Sequence, residues 1–381
     1  MATGKSATAP GDRSSVVAFI LREKVLGVAL LSCLIAFYFE HSLAAALANP
    51  IILVAVLAWL FIVILATAIG VVRHAEALSH RLGEPFGTLV LTLAITGIEV
   101  MSITAVMMHG ENNPVLVRDT LFSVVMIIMG GMVGLSLLLG AFRHKELSFN
   151  LQGANAYLGV IIPLAVFSLV LPDFTRSTGG PTLTGMQKAM VGVMAVCLYA
   201  IFLLIQTGRH RAFFSLPEAE AGGAHEEEAS PYPLYASLLL LVAYITPIVL
   251  LVEQLAKPID YMIETLDMPV AIGGVLMAIL VTAPEGLGGI RSALANRLQQ
   301  SVNIFLGSVL ATIGLTVPIM LMVSSALGLE LVLGLTGVDM VLLLLIFAVS
   351  IVTFSSGRTH VLQGAVHFLI FVAFLMLLYR G

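Results

Sequence analysis

Charge is what this sequence has least of. Only 10% of its 381 residues are Asp, Glu, Lys or Arg, against about 25% in an ordinary soluble domain. With 59% of the residues hydrophobic, most of the chain must be solvated by lipid rather than water. Basic residues are too few, and too scattered between apolar runs, to form a nucleic-acid surface, and the net charge of −4 favours no acidic partner. Cysteine is almost missing. Cys33 and Cys197 stand alone, without C-x-x-C or Cys/His spacing, which excludes a disulfide framework and a zinc site. No H-E-x-x-H, G-x-G-D or Ser/Lys dyad at helical spacing occurs in the apolar runs, so neither an intramembrane enzyme nor a cofactor is expected.

What the chain has in abundance is long apolar runs. Runs of about 20 residues, the length that crosses a bilayer core, lie near 24–44, 50–72, 84–108, 118–141, 154–172, 187–207, 234–256, 268–290, 301–326, 330–350 and 360–379. An all-α membrane protein of about 11 transmembrane helices is therefore expected. The polar stretch from Met1 to Ser15 precedes a run with no small-residue cleavage site, read as a retained helix and not a signal peptide. A Gly/Ala/Glu segment at 209–233, with Glu218, Glu220, Glu226, Glu227 and Glu228, is too polar to insert and is expected as an acidic linker. The resulting divisions are a tail at 1–23, an extra helix at 24–46, five helices at 47–208, the linker, and five more at 234–381. A five-helix unit repeated once must insert the second time upside down, which is the inverted-repeat plan of many transporters.

Sorting the 18 basic residues by nearest loop puts thirteen on the side of the N-terminus and linker and five on the other. The positive-inside rule then places the N-terminus in the cytoplasm and the C-terminus outside, in the periplasm if the membrane is a bacterial inner membrane.

Two of the apolar runs carry a glutamate three residues after a threonine. Thr96-Gly97-Ile98-Glu99 lies in the third and Thr282-Ala283-Pro284-Glu285 in the eighth, at corresponding places of the two halves. An ionisable group at membrane depth costs about 3 kcal/mol on insertion scales and is tolerated mainly where it meets a cavity, a partner or an ion. No basic residue lies between Thr88 and His109 or between Asp260 and Gly289 to neutralise either one. Thr88, Thr92, Thr96, Glu99 and Ser102 share one helical face. Two facing carboxylates would titrate as a coupled pair and would hold either protons or a cation. A hard divalent ion such as Ca²⁺ takes six to eight oxygens, which Thr96, Thr282 and carbonyls freed near Pro284 can help supply. Protons and cation competing for the same oxygens make an antiporter, while a passive cation channel is the reading from a different class. A protonated glutamate merely bonded to a neighbouring helix is the structural alternative.

The stretches Gly83-Glu84-Pro85-Phe86-Gly87-Thr88 leading to Glu99, and Thr282-Ala283-Pro284-Glu285-Gly286, resemble the cation/Ca²⁺ exchanger superfamily, most closely its bacterial Ca²⁺/H⁺ antiporter branch. So do Arg118-Asp119-Thr120-Leu121-Phe122-Ser123 and the run from Gln300 through Asn303, Gly307 and Ser308 to Pro318. The resemblance implies one extra N-terminal helix plus two inverted five-helix repeats exchanging Ca²⁺ for H⁺. It makes Glu99 and Glu285 the ion ligands and proton carriers, with Thr96 and Thr282 beside them. Thr92, Ser123 and Ser308 are the supporting polar residues. Plant and fungal relatives carry G-N-A-x-E at both glutamates, and here neither has the Gly-Asn pair. Polar positions on the following helices are Ile127, Ile128 and Ala311. Fewer side-chain oxygens keep a Na⁺(K⁺)/H⁺ antiporter open as the alternative.

Other residues have blander readings. Glu84 suits the first turn of its helix or a gate, and His225 with Glu226–Glu228 a solvated spacer or a divalent-ion sensor. Arg291 and Arg297 suit topology anchors. Glu253, Asp260, Glu264 and Asp267 suit a solvated outer loop or an attractive mouth. His360 and His367 suit a packed face or a proton relay. Gly130, Gly131 and Gly134 imply close helix contact.

Overall fold

The computed structural model describes residues 21–83, 86–108, 113–175, 178, 180–214 and 232–378; of His80 and Thr88 only the backbone is described. Glu84, Arg176 and the acidic residues of the linker lie outside the described residues, as do His225 and the stretch Met1–Ser15.

The described residues are mostly helical, because a backbone in lipid must satisfy its own hydrogen bonds. Helix α1 (Lys24–Tyr38) is followed by α2 (Glu40–Ala46), then α3 (Pro50–Leu82) and α4 (Phe86–Met107). The first half continues with α5 (Leu116–His144), α6 (Leu151–Phe174) and α7 (Gly185–Thr207). Its second half comprises α8 (Leu234–Glu264), α9 (Ala271–Leu294), α10 (Leu298–Leu327), α11 (Gly337–Thr353) and α12 (Val361–Leu378). Helix starts carry caps that the sequence supplies. The Asn49 side chain accepts from the Ile51 amide ahead of Pro50, and Asn150 accepts from Gln152 and Gly153. Thr184 and Gln187 close a capping box on α7.

Among the described residues nine helices are long and apolar enough to cross a membrane, or ten if α1 and α2 count as one broken span. Each of the eleven apolar runs is helical, but two depart from a straight crossing. The continuous helix expected at 24–46 bends by 75° between Tyr38 and Glu40, where the Glu40 carboxylate turns to an ion pair with Lys257 of α8. The run expected from 330 becomes helical only at Gly337 and has 17 residues. Its first residues are extended because their amides are used elsewhere: Val332 donates to the Pro114 carbonyl, Gly334 to Pro181 and Leu335 to Leu169.

One irregularity recurs in both halves. Helices α5 and α10 each contain a wide π turn, at Met126–Met132 and Thr312–Thr316. Met126 and Thr312 stand as far apart in the chain as Glu99 and Glu285 do. Packing crosses between halves: α4 lies on the π turn of α10, and α9 on that of α5. Small residues allow the closest approaches, as expected for Gly130, Gly131 and Gly134. A Cβ on Gly134 would stand 2.6 Å from the Phe368 amide of α12 and one on Gly130 3.1 Å from Phe371.

One end of the bundle gathers the segments beside the linker. There, β1 (Leu147–Ser148) pairs antiparallel with β2 (Arg358–Thr359), joining the α5–α6 turn to the α11–α12 turn. At the same end Asn150 donates its amide to Gln299, and Asn303 donates to the Phe214 carbonyl. At the opposite end Arg118 pairs with Asp119 at 2.8 Å and donates to the Gly334 carbonyl.

Candidate functional site

A carboxyl group buried within a helix must find donors or a counter-charge, since leaving it bare costs several kcal/mol. Glu99, on α4, is 1% exposed. Its Oε2 accepts from the Thr316 hydroxyl at 2.7 Å and the Thr312 hydroxyl at 3.2 Å. Both threonines lie on the π turn of α10, four residues apart, so one face of the opposite half supplies both donors. Glu285, on α9, accepts on Oε2 from Ser308 of α10 at 2.7 Å. The Oε1 atom of Glu99 is buried with no partner.

Both carboxyls open onto one cavity of about 310 Å³. Thr92, Thr96, Thr312 and Ser308 also line it, as do Pro284 and Gly288. Pro284 has no amide hydrogen, so the Leu280 carbonyl lacks its usual helical donor. The remaining wall carries Glu76, Gln206, Gln300 and Asn303, and it leads to the linker end. Toward the other end α4 is packed shut: Ile103 and Met107 are buried, and Gly274 of α9 sits against the Asp119–Thr120 backbone.

Of the residues singled out in the sequence, the fold thus brings Glu99, Glu285, Thr92, Thr96 and Ser308 to one cavity. Thr92 is also hydrogen-bonded to Tyr199 of α7. Thr282 is fully buried, donates its hydroxyl to the Ala278 carbonyl at 2.7 Å and is not part of the cavity wall. Ser123 is buried away from the cavity as well. Ser102 shares the helix face of Glu99 but lines a neighbouring, mostly apolar groove with Ile64 and Met277, to which Pro284 and Glu285 also contribute. Arg291, Arg297 and the acidic residues from Glu253 to Asp267 do not reach the cavity wall. His367 is fully buried and bridges the Met129 carbonyl (2.6 Å) and the Thr353 hydroxyl (3.0 Å). It therefore serves the carbonyl ladder opened by the α5 π turn, as a packed histidine would.

Thr312 and Thr316 were not singled out. The signal was present, because Ser308, Thr312 and Thr316 recur every four residues along an apolar helix, as one face requires. At the positions of α5 that correspond to Thr312 and Thr316 stand Met126 and Gly130. Among the described residues, the hydroxyls that donate to the two carboxylates are therefore all on α10, and α5 supplies none at the corresponding positions.

Comparison with known proteins bears on this arrangement. The family described as sodium/calcium exchanger protein matches residues 52–208 and 236–380, one block in each half. A putative ionic transporter, y4hA, of Sinorhizobium fredii is 43% identical over 80% of this chain and 83% of its own length. The sodium-potassium/proton antiporter ChaA of Escherichia coli is 38% identical over 83% of this chain and 86% of its own. The crystal structure of the selenium-substituted Ca²⁺/H⁺ antiporter protein YfkE superimposes with a TM-score of 0.71 at 18% identity, covering 94% of this chain and 98% of that one. At that identity the likeness speaks for the fold.

Proposed function

Because this chain belongs to the sodium/calcium exchanger protein family, an integral-membrane family of ion exchangers, we propose that it exchanges a cation for protons by alternating access, with Glu99 and Glu285 as the shared binding groups. The observation that carries this reading is the single cavity on which two carboxyls from opposite halves converge. Helix α4 runs away from the linker end and α9 runs back towards it, so the meeting point is near mid-membrane, where inverted repeats place their sites. The division into an extra N-terminal helix and two inverted five-helix units, at 47–208 and 234–381, is part of the same proposal.

The chemistry follows from competition for oxygens. When both carboxyls are ionised, their repulsion in a low dielectric is relieved by a cation or by protons, and occupancy by one excludes the other. Thr312, Thr316 and Ser308 donate to the carboxylates, and Thr96 and Thr92 line the same cavity. The positive-inside rule puts the linker end in the cytoplasm. The cavity then opens inward here, the arrangement in which protons leave and the cation enters. Return requires the linker end to close and the packed end around Ile103 and Gly274 to open.

Ca²⁺ is the cargo that two converging carboxylates suit best. A Na⁺ or K⁺ cargo is the second reading. It is supported by the 38% identity to an antiporter named for those ions and by the apolar residues at the α5 π turn. Proton flux in inverted membrane vesicles, followed on addition of Ca²⁺, Na⁺ or K⁺, separates them. Glu99→Gln and Glu285→Gln are each expected to abolish exchange with every ion while insertion is retained; wild-type rates in either variant would overturn the shared site.

A further inference from the structure

Another buried carboxylate stands outside the exchange site. Glu23, the residue before α1, is 5% exposed. Its Oε2 accepts from Arg73 at 2.5 Å and from the Tyr244 hydroxyl at 2.7 Å, and it lies 3.3 Å from the His74 ring nitrogen Nε2. Oε1 accepts from Tyr232 at 3.1 Å, and the Arg22 guanidinium covers the Tyr232 ring at 5.7 Å. Burial works against the charge of Glu23, but Tyr244, Arg73 and His74 outweigh it and hold the carboxyl below its ordinary range. It is therefore an anion at neutral pH. Three separate stretches of chain meet on it: α1, α3 through Arg73 and His74, and α8 through Tyr244. Tyr244 reaches Glu23 only because Gly70 leaves a notch on α3; a Cβ there would stand 2.3 Å from the tyrosine ring.

The faces of α3 connect this cluster to the cavity. Val72 and Glu76, four residues apart, line the cavity wall, while the intervening Arg73 and His74 point to Glu23 on the other side of the same turn. Any closure of the cavity at the linker end that shifts α3 must carry Arg73 and His74 away from Glu23 or drag α1 along. A buried carboxylate with several donors resists partial separation, since each lost donor leaves more uncompensated charge.

We propose that Glu23 is a positioning residue, a latch that ties α1 and α8 to α3 and so holds the exchange cavity open towards the linker end. The latch does not depend on which ion is carried, and its test needs no transport. In protein with Cys33 and Cys197 replaced by alanine, Val72→Cys reports access to the cavity through its rate of reaction with a membrane-impermeant thiol reagent in inverted vesicles. Glu23→Gln in that background keeps the size of the side chain and removes its charge. Loss of one or two such bonds is expected to slow labelling by about two- to ten-fold, as the closed arrangement gains population, with Glu23→Gln folded and inserted. Tyr244→Phe keeps the ring in the Gly70 notch, removes one donor and is expected to act in the same direction; it also carries the test should Glu23→Gln not accumulate. Steady-state exchange gives an independent readout, with a change in kcat expected and little change in KM. Unchanged or faster labelling in folded Glu23→Gln or Tyr244→Phe protein would overturn the latch, whatever the transport assays return.

Discussion

Thr316 shows how much a single hydroxyl contributes to a site at this depth. It donates to Glu99 at 2.7 Å, the shorter of the two hydroxyl bonds that carboxyl receives. A bond of this kind to a charged group contributes about 1.5–3 kcal/mol. Valine matches threonine in shape but cannot donate, so Thr316→Val is expected to change the apparent cation affinity by about ten-fold or more, with the direction read from initial rates against ion concentration. Thr282→Val is the contrasting case. Its hydroxyl is already given to the Ala278 carbonyl of its own helix, and the affinity is expected to stay within about two-fold. Equal effects in the two variants would mean that both hydroxyls, or neither, act on the ion. At this scale the sequence was only partly legible. Glu99 and Glu285 are conspicuous because a carboxylate among apolar residues is costly. Serines and threonines are not, since an apolar helix accommodates their hydroxyls by bonding them back to its own carbonyls, as it does those of Thr282, Ser350 and Thr67.

Among the elements, the contact between α5 and α12 bears most directly on the scaffold. Glycines at 130, 131, 134 and 364 let two backbones approach where the α5 π turn widens the helix. His367 closes the ladder by donating from Nδ1 to the Met129 carbonyl. Without a hydrophobic driving force between helices in lipid, such close packing is what holds them together. Gly134→Val would place side-chain carbon against the Phe368 backbone, which has no room to move. Overpacking of this sort costs about 1–3 kcal/mol, and a lowered thermal midpoint in detergent, with loss of the monodisperse species, is the expected outcome. A midpoint equal to that of the unaltered protein would show that α5 and α12 do not meet this closely. Helix identity was legible from the run lengths, and the helix contact from the glycines. The π turns were not, because an extra residue per turn changes no residue type. The break at Phe39 and the extended stretch before Gly337 were also hidden, since each arises from a partner distant in the chain, Lys257 in one case and Pro114, Pro181 and Leu169 in the other.

For the molecule as a whole, orientation and access are one question. The basic residues gather at the linker end, where the cavity opens, and the packed end faces away. A topology reporter placed in the linker at 209–233 is expected on the cytoplasmic side, and one fused to the C-terminal end on the opposite side. Both on the same side would contradict the charge asymmetry and would reverse the direction assigned to the cavity. The β1–β2 bridge and the Gln299–Asn150 and Asn303–Phe214 bonds cross between halves at that end, so closing the cavity must rearrange or carry along contacts that are already made.

Residue order and composition alone established a chain of membrane helices and picked out Glu99 and Glu285, each three residues after a threonine in an apolar run. Those properties rest on local composition: lipid demands long apolar helices, and charge within them is too costly to be incidental. Which atoms answer the carboxylates, that the donating hydroxyls among the described residues sit on α10, and that Glu23 gathers Arg73, His74, Tyr232 and Tyr244 became visible in the folded molecule alone. Each of those is a meeting of residues remote in the chain, and remote meetings are set by how helices pack, which no residue type discloses alone.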